Sequence, residues 1–196
     1  MGKIFCIMGK SATGKDTIYK KILQNSELKL RRIVSYTTRP IREGEEEGVE
    51  YYFTDVETMH QLEEQGKIIE CRAYDTIHGI WYYYLVKDSQ IDLANNDYLI
   101  IGTLESYMKI RDYFGKNKVV PIYIELDDGE RLTRALEREK TQSEPKYEEM
   151  CRRFLADCQD FSCEKLTEAG IKKFYVNNDL EKCLQEIKQD MLADRE

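Results

Sequence analysis

The chain has 196 residues, 41% hydrophobic and 34% charged, a length and balance that fit one globular domain able to bury a core without disulfide or metal staples. Its 30 basic and 37 acidic residues leave a net charge of -7, which lacks the overall positive field of nucleic-acid and anionic-membrane binders but permits a basic cleft on an acidic body. No apolar run is long enough to span a bilayer.

Residues 3–8 form a short apolar strand. No apolar leader with a small-residue cleavage site precedes it, so a cytoplasmic protein is expected. The cysteines at 6, 71, 151, 158, 163 and 183 show no C-x-x-C spacing, and His60 and His78 complete no zinc pattern; free thiols are expected. A glycine-bearing loop over 9–14 leads into a helix over 15–24, with Ile18, Ile22 and Leu23 at helical spacing. Residues 32–37 read as a strand. Thr54-Asp55-Val56-Glu57 has the form of a capping box, with Thr54 capping a helix that reaches about residue 65.

Residues 67–74 and 81–86 read as strands joined by a turn around His78-Gly79, and 98–103 as a buried strand. A helix over 104–114 precedes a strand over 119–126, where Pro121 points to an edge or a bulge. Next come a helix over 128–138, a polar mobile loop over 139–146, one long helix over 147–167 and a strand over 172–176. Leu180, Cys183, Leu184, Ile187 and Met191 trace the apolar stripe of a final helix. Strands alternating with helices mean an α/β fold with a mainly parallel sheet.

Gly9-Lys10-Ser11-Ala12-Thr13-Gly14-Lys15 is G-x-x-x-x-G-K between a strand and a helix. The glycines let the backbone of Gly9, Ser11, Ala12, Thr13 and Gly14 turn N–H groups toward a phosphate, and the helix N-terminus adds its positive dipole end. Lys15 supplies a mobile cation for β- and γ-phosphate oxygens. The position after the lysine, where a hydroxyl would bind Mg2+, holds Asp16, and Thr17 follows; both are candidate metal ligands. The motif predicts a nucleoside-triphosphate site and does not separate a kinase from a GTPase or an ATPase.

A second anion site is suggested by Val34-Ser35-Tyr36-Thr37-Thr38-Arg39-Pro40-Ile41-Arg42-Glu43-Gly44-Glu45 and the following Gly48-Val49-Glu50-Tyr51-Tyr52-Phe53. Two arginines straddling a proline can converge on phosphate oxygens, and Tyr51 can add a neutral donor. Composition alone favours a solvated loop in which these arginines pair with Glu43, Glu45, Glu46 and Glu47.

This stretch resembles the acceptor-binding signature of the guanylate kinase family, S-x-T-T-R-x-x-R-x-G-E followed by G-x-x-Y-x-F. The resemblance covers nearly the whole chain, as far as Val176-Asn177-Asn178-Asp179-Leu180. It implies a three-layer P-loop NTPase fold with a parallel central sheet, within a single domain over 1–196. An acceptor-binding arm at about 33–97 and a lid at about 134–152 would be parts of it. It implies transfer of the ATP γ-phosphate to GMP with Mg2+, with small molecules as partners rather than nucleic acid or membrane. Oligomeric state cannot be read.

By the same resemblance, Ser35, Arg39, Arg42 and Tyr51 would hold the acceptor phosphate, with Glu45 of the same signature counted among the substrate-binding residues. Glu70 would read guanine, one carboxylate accepting from both N1–H and N2–H. Tyr82 would contact the acceptor, Asn177 would lie near the adenine, and Arg134, Arg138 and Arg153 would join Lys15 and Arg39 in stabilising the transferring group. The chain departs from the family in two places. Tyr83 and Tyr84 replace a glycine and a small hydroxyl residue, and the stretch Ile100-Ile101-Gly102-Thr103-Leu104-Glu105 stands where the family carries D-x-D, leaving Thr103 as a substitute and Asp16 as a compensating carboxylate. Gly14-Lys15-Asp16-Thr17 also resembles the loop of ribose-bisphosphate kinases. A catalytically inactive binding module is a further alternative, although it would be expected to carry a degraded phosphate loop.

Overall fold

The computed structural model describes residues 2–76 and 79–194. In chain order the elements are β1 (Ile4–Met8), α1 (Lys15–Leu23), β2 (Arg31–Arg32), β3 (Tyr36–Thr37), β4 (Tyr52–Phe53), α2 (Val56–Glu64), β5 (Ile68–Thr76) and β6 (Gly79–Val86). They continue with β7 (Tyr98–Ile101), α3 (Leu104–Phe114), β8 (Val119–Glu125), α4 (Asp128–Lys140), α5 (Tyr147–Asp160), α6 (Cys163–Glu168), β9 (Phe174–Val176) and α7 (Leu180–Ala193).

β1 is buried on both faces because the strand alternates its side chains between two helical layers. Ile4, Cys6 and Met8 pack with Leu104, Tyr107 and Ile110 of α3 and with Leu166 of α6. Phe5 and Ile7 pack with Ile18 and Ile22 of α1 and with Cys183, Ile187 and Met191 of α7. The central sheet runs β2-β7-β1-β8-β9, parallel throughout, so the expected α/β class and parallel sheet are observed. A second, mixed sheet, β4-β3-β6-β5, has a small core in which Met59 of α2 meets Tyr84 and Val86.

Five local expectations change. Residues 32–37 are two short strands, β2 in the central sheet and β3 in the second, so the chain crosses between sheets there. Asp55, not Thr54, caps α2 by accepting from the Thr58 N–H, while the Thr54 hydroxyl pairs with Tyr84 at 2.6 Å. The turn expected at His78-Gly79 falls partly outside the described residues. Helix α4 extends to Lys140, and the long helix expected over 147–167 breaks at Phe161, with Ser162 capping α6. Pro121 lies in an interior strand without a bulge: the Glu125 carbonyl faces β9, so alternation turns Pro121 the same way, before β9 pairing begins at Tyr123.

Leu99 of β7 is fully buried between these layers. Leu99→Ala should destabilise the fold by about 2–5 kcal/mol, seen as a lower urea midpoint at unchanged m-value.

Candidate active site

The loop between β1 and α1 takes its shape from close backbone approach. Gly14 adopts φ 85°, and a Cβ there would sit 2.4 Å from the Asn177 side-chain nitrogen. Asn177 is buried and donates to the Thr13 carbonyl at 2.7 Å, so it braces the phosphate loop from behind. Ala12 also takes a left-handed φ of 63°, which is strained for a residue with a Cβ.

The far side of the loop is held by α4 and α5. Arg131 is 1% exposed; its Nε donates to the Ser11 carbonyl at 3.0 Å, and its other nitrogens reach Asp128 and Asp157. Asp157 also accepts from the Ser11 N–H at 2.7 Å, and Phe154 stacks under the guanidinium. Neither Arg131 nor Asp157 was singled out in the sequence. The available signal was spacing: Arg131 and Ala135 share one face of α4 at i, i+4, and both are buried.

A cleft of about 530 Å³ opens beside this loop. It gathers Ser11, Lys15 and Asp16 with Ser35, Arg42 and Tyr51, and adds Thr103, Arg153 and its neighbour Arg152. These sequence-predicted residues therefore come together from distant parts of the chain. Thr103 also caps α3, accepting from the Ser106 N–H.

Other predicted residues lie elsewhere. Arg39 is buried, forked onto Glu45 at 2.9 and 2.8 Å and donating to the Tyr83 hydroxyl at 3.1 Å. Burial works against its charge, but Glu45 and Tyr83 outweigh that effect and hold it charged. Glu45 also accepts from the Arg42 N–H at 2.9 Å, so the loop glutamate satisfies the first arginine and anchors the second. Strand alternation turns Tyr82 and Tyr84 toward the arm core, while Trp81 and Tyr83 face the cleft. Glu70 is sealed behind Arg72, whose Nε and Nη2 contact its two oxygens at 3.1 and 3.2 Å. Burial lifts the Glu70 carboxyl above its ordinary range, and Arg72 counters the shift. The pair was legible: Glu70 and Arg72 are two apart on one strand and therefore share a face.

The lid arginines also differ from expectation. Arg134 points to the Asn177 carbonyl at 3.5 Å, Arg138 is exposed, and neither lines the cleft. The cleft cations on this side are Arg152 and Arg153, both paired with Glu149. Thr17 is exposed and lies outside the cleft lining, which leaves Asp16, 3.7 Å from Lys15, as the carboxylate beside the loop. Among the described residues no cluster of three or more His, Cys, Asp or Glu is placed to hold a metal. One carboxylate nevertheless fits Mg2+ delivered by a nucleotide, since that ion takes most of its oxygens from phosphates and water.

A glycine loop between a parallel strand and a helix, with its lysine in a cationic cleft, defines a P-loop nucleotide-binding α/β protein. Comparison with known proteins narrows the class. The guanylate kinase family model matches residues 1–194. The guanylate kinase of Mycoplasma pneumoniae is 26% identical over 196 residues, covering 98% of this chain and 77% of its own. That of Chlorobium chlorochromatii is 31% identical over 153 residues, 78% of each chain. The crystal structure of guanylate kinase from Anaplasma phagocytophilum shares the fold, with a TM-score of 0.67 at 22% identity over 98% of this chain and 86% of that one. The chain belongs to the guanylate kinase family.

Two outcomes follow from the charge pairs. Hydrogen bonding from Arg152 lowers the Glu149 carboxyl most, burial opposes it, and Arg153 adds a further lowering, bringing it from 4.5 to about 2. Its stabilising contribution is complete above the unfolded value and disappears as pH falls toward 2; an NMR titration should show this, with Arg152→Ala moving the midpoint upward. Asp157→Ala leaves the buried Arg131 with Asp128 as its one carboxylate and the Ser11 N–H without its acceptor, and should cost about 1–3 kcal/mol in thermal unfolding.

Proposed function

We propose that the chain transfers the γ-phosphoryl group of ATP to GMP, forming ADP and GDP, with Mg2+ accompanying the nucleotide. The observation that carries this reading is one cleft holding both the lysine of a phosphate loop and the Ser35, Arg42 and Tyr51 set of the second anion site. Two phosphate-bearing substrates facing each other across a cleft is the arrangement that phosphoryl transfer requires.

Lys15 and the loop N–H groups hold the β- and γ-phosphate oxygens. Arg42, Tyr51 and Ser35 take the acceptor phosphate. Arg39 and Glu45 act from behind them, fixing the turn that carries Arg42. Arg152 and Arg153 face the same cleft and neutralise charge on the group in transit. Asp16 would contribute to holding Mg2+, which when bound neutralises phosphate charge. An acceptor that is already a phosphate anion needs no general base.

In this reading the second sheet and α2, within residues 33–97, form the acceptor arm, and the α4–α5 junction within 134–152 forms the lid of a single domain. Substrates are small molecules. A cytoplasmic setting, rich in ATP and reducing, suits the six unpaired cysteines. No described helix is long and apolar enough to cross a membrane.

Lys15→Met should lower kcat for GMP-dependent ADP release by about 100- to 1000-fold with the fold retained by circular dichroism. Near-wild-type turnover by this variant would remove the reading.

A further inference from the structure

Resting on the reading above, we propose that Arg72, held by Glu70, is the residue that reads the acceptor base, and that it does so through the base's O6 and N7 acceptors.

The carboxylate expected to read guanine is not presented to the cleft. The Glu70 side chain has 0% exposure, and both its oxygens are engaged by Arg72. Arg72 itself lines the cleft with 12% of its side chain exposed. Its guanidinium satisfies Glu70 with the two adjacent N–H donors that guanine N1–H and N2–H would have offered. The cleft therefore meets the acceptor with donors where an acceptor pair was expected.

The geometry leaves a second fork. Glu70 takes the Nε and Nη2 side of the guanidinium. The other side, formed by Nη1 and the second hydrogen of Nη2, has a long 3.5 Å contact from Nη1 to the Thr103 hydroxyl, and the guanidinium also hydrogen-bonds the Tyr74 phenol. Both neighbours line the same cleft, and the 3.5 Å Thr103 contact is at the outer limit of hydrogen bonding, so a base acceptor at ordinary distance outcompetes it. An end-on guanidinium fork matches the O6 and N7 pair of guanine, and adenine offers a donor in place of O6. Trp81 and Tyr83 line the cleft beside Arg72 and give a flat base an aromatic wall.

Glu70 is then a positioning residue and Arg72 a binding residue. The 2-amino group goes unread, so hypoxanthine and guanine are equivalent to this site.

The test is an acceptor series on the full chain with Mg-ATP, using GMP, IMP, 7-deaza-GMP and AMP. IMP should support kcat/KM within about threefold of GMP, whereas 7-deaza-GMP, lacking N7, and AMP should each fall about tenfold or more. Arg72→Lys keeps a cation against Glu70 but loses the fork; it should lower GMP and IMP together by about tenfold and move AMP little. If IMP falls tenfold or more while 7-deaza-GMP equals GMP, the base is read at N2–H and the inference fails. Unchanged GMP kinetics in Arg72→Lys would overturn it too. Absence of turnover with all four acceptors would instead remove the proposed phosphotransfer, and the base reading with it.

Discussion

The arrangement of this molecule depends on one buried guanidinium. Arg131 lies where α4, α5 and the phosphate loop meet, and its nitrogens are shared among the Ser11 carbonyl, Asp128 and Asp157. A charge taken out of water is tolerated only when its donors are satisfied, so the three partners must hold their places together. The loop therefore inherits the positions of both helices. Asn177 imposes the opposite constraint from the β9 side, pressing on Gly14 so closely that no side chain fits. Between these two contacts the backbone is set, including the strained Ala12.

The same device recurs across the cleft. Arg39 is matched by Glu45, Arg72 by Glu70, and Arg152 and Arg153 by Glu149. This resolves the apparent conflict between an acidic chain and an anionic substrate. The excess of carboxylates is spread over the body, and a few of them stand directly behind the arginines. Removing Glu45 or Glu70 would leave an enclosed arginine without its carboxylate partner and free to reorient. The paired carboxylate thus contributes orientation at the expense of some positive potential.

The central layers were legible in the sequence because their causes are local. An apolar strand followed by a glycine loop and a helix has one common arrangement, and the stripe from Leu180 to Met191 faces the sheet as its spacing dictates. The phosphate loop and the Ser35, Arg42 and Tyr51 set were legible by motif. What escaped was decided by competition between neighbours. Thr54 had the right chemistry to cap α2, but Tyr84 claims its hydroxyl and Asp55 caps instead. Arg39 and Arg42 were indistinguishable as phosphate ligands until the fold gave Glu45 to the first. Arg134 and Arg138 share a helix with Arg131, yet only the rotation of α4 against the loop decides which of them turns inward.

Burial then divides the cationic groups by what they can do. Arg39, Arg72 and Arg131 are enclosed and tied by carboxylates, so their positions are fixed before any substrate arrives. Arg152 and Arg153 are exposed on α5, each with most of its length in solvent. A fixed donor costs no reorganisation at the moment of reaction and suits recognition of an invariant group such as a base. An exposed arginine with a single shared carboxylate can change partners, and Glu149 gives it somewhere to rest when no phosphate is present. The transferring phosphoryl group is the one part of the system that moves. On the proposed reading, the enclosed Arg72 serves the base, which stays, and the exposed Arg152 and Arg153 serve the group that travels.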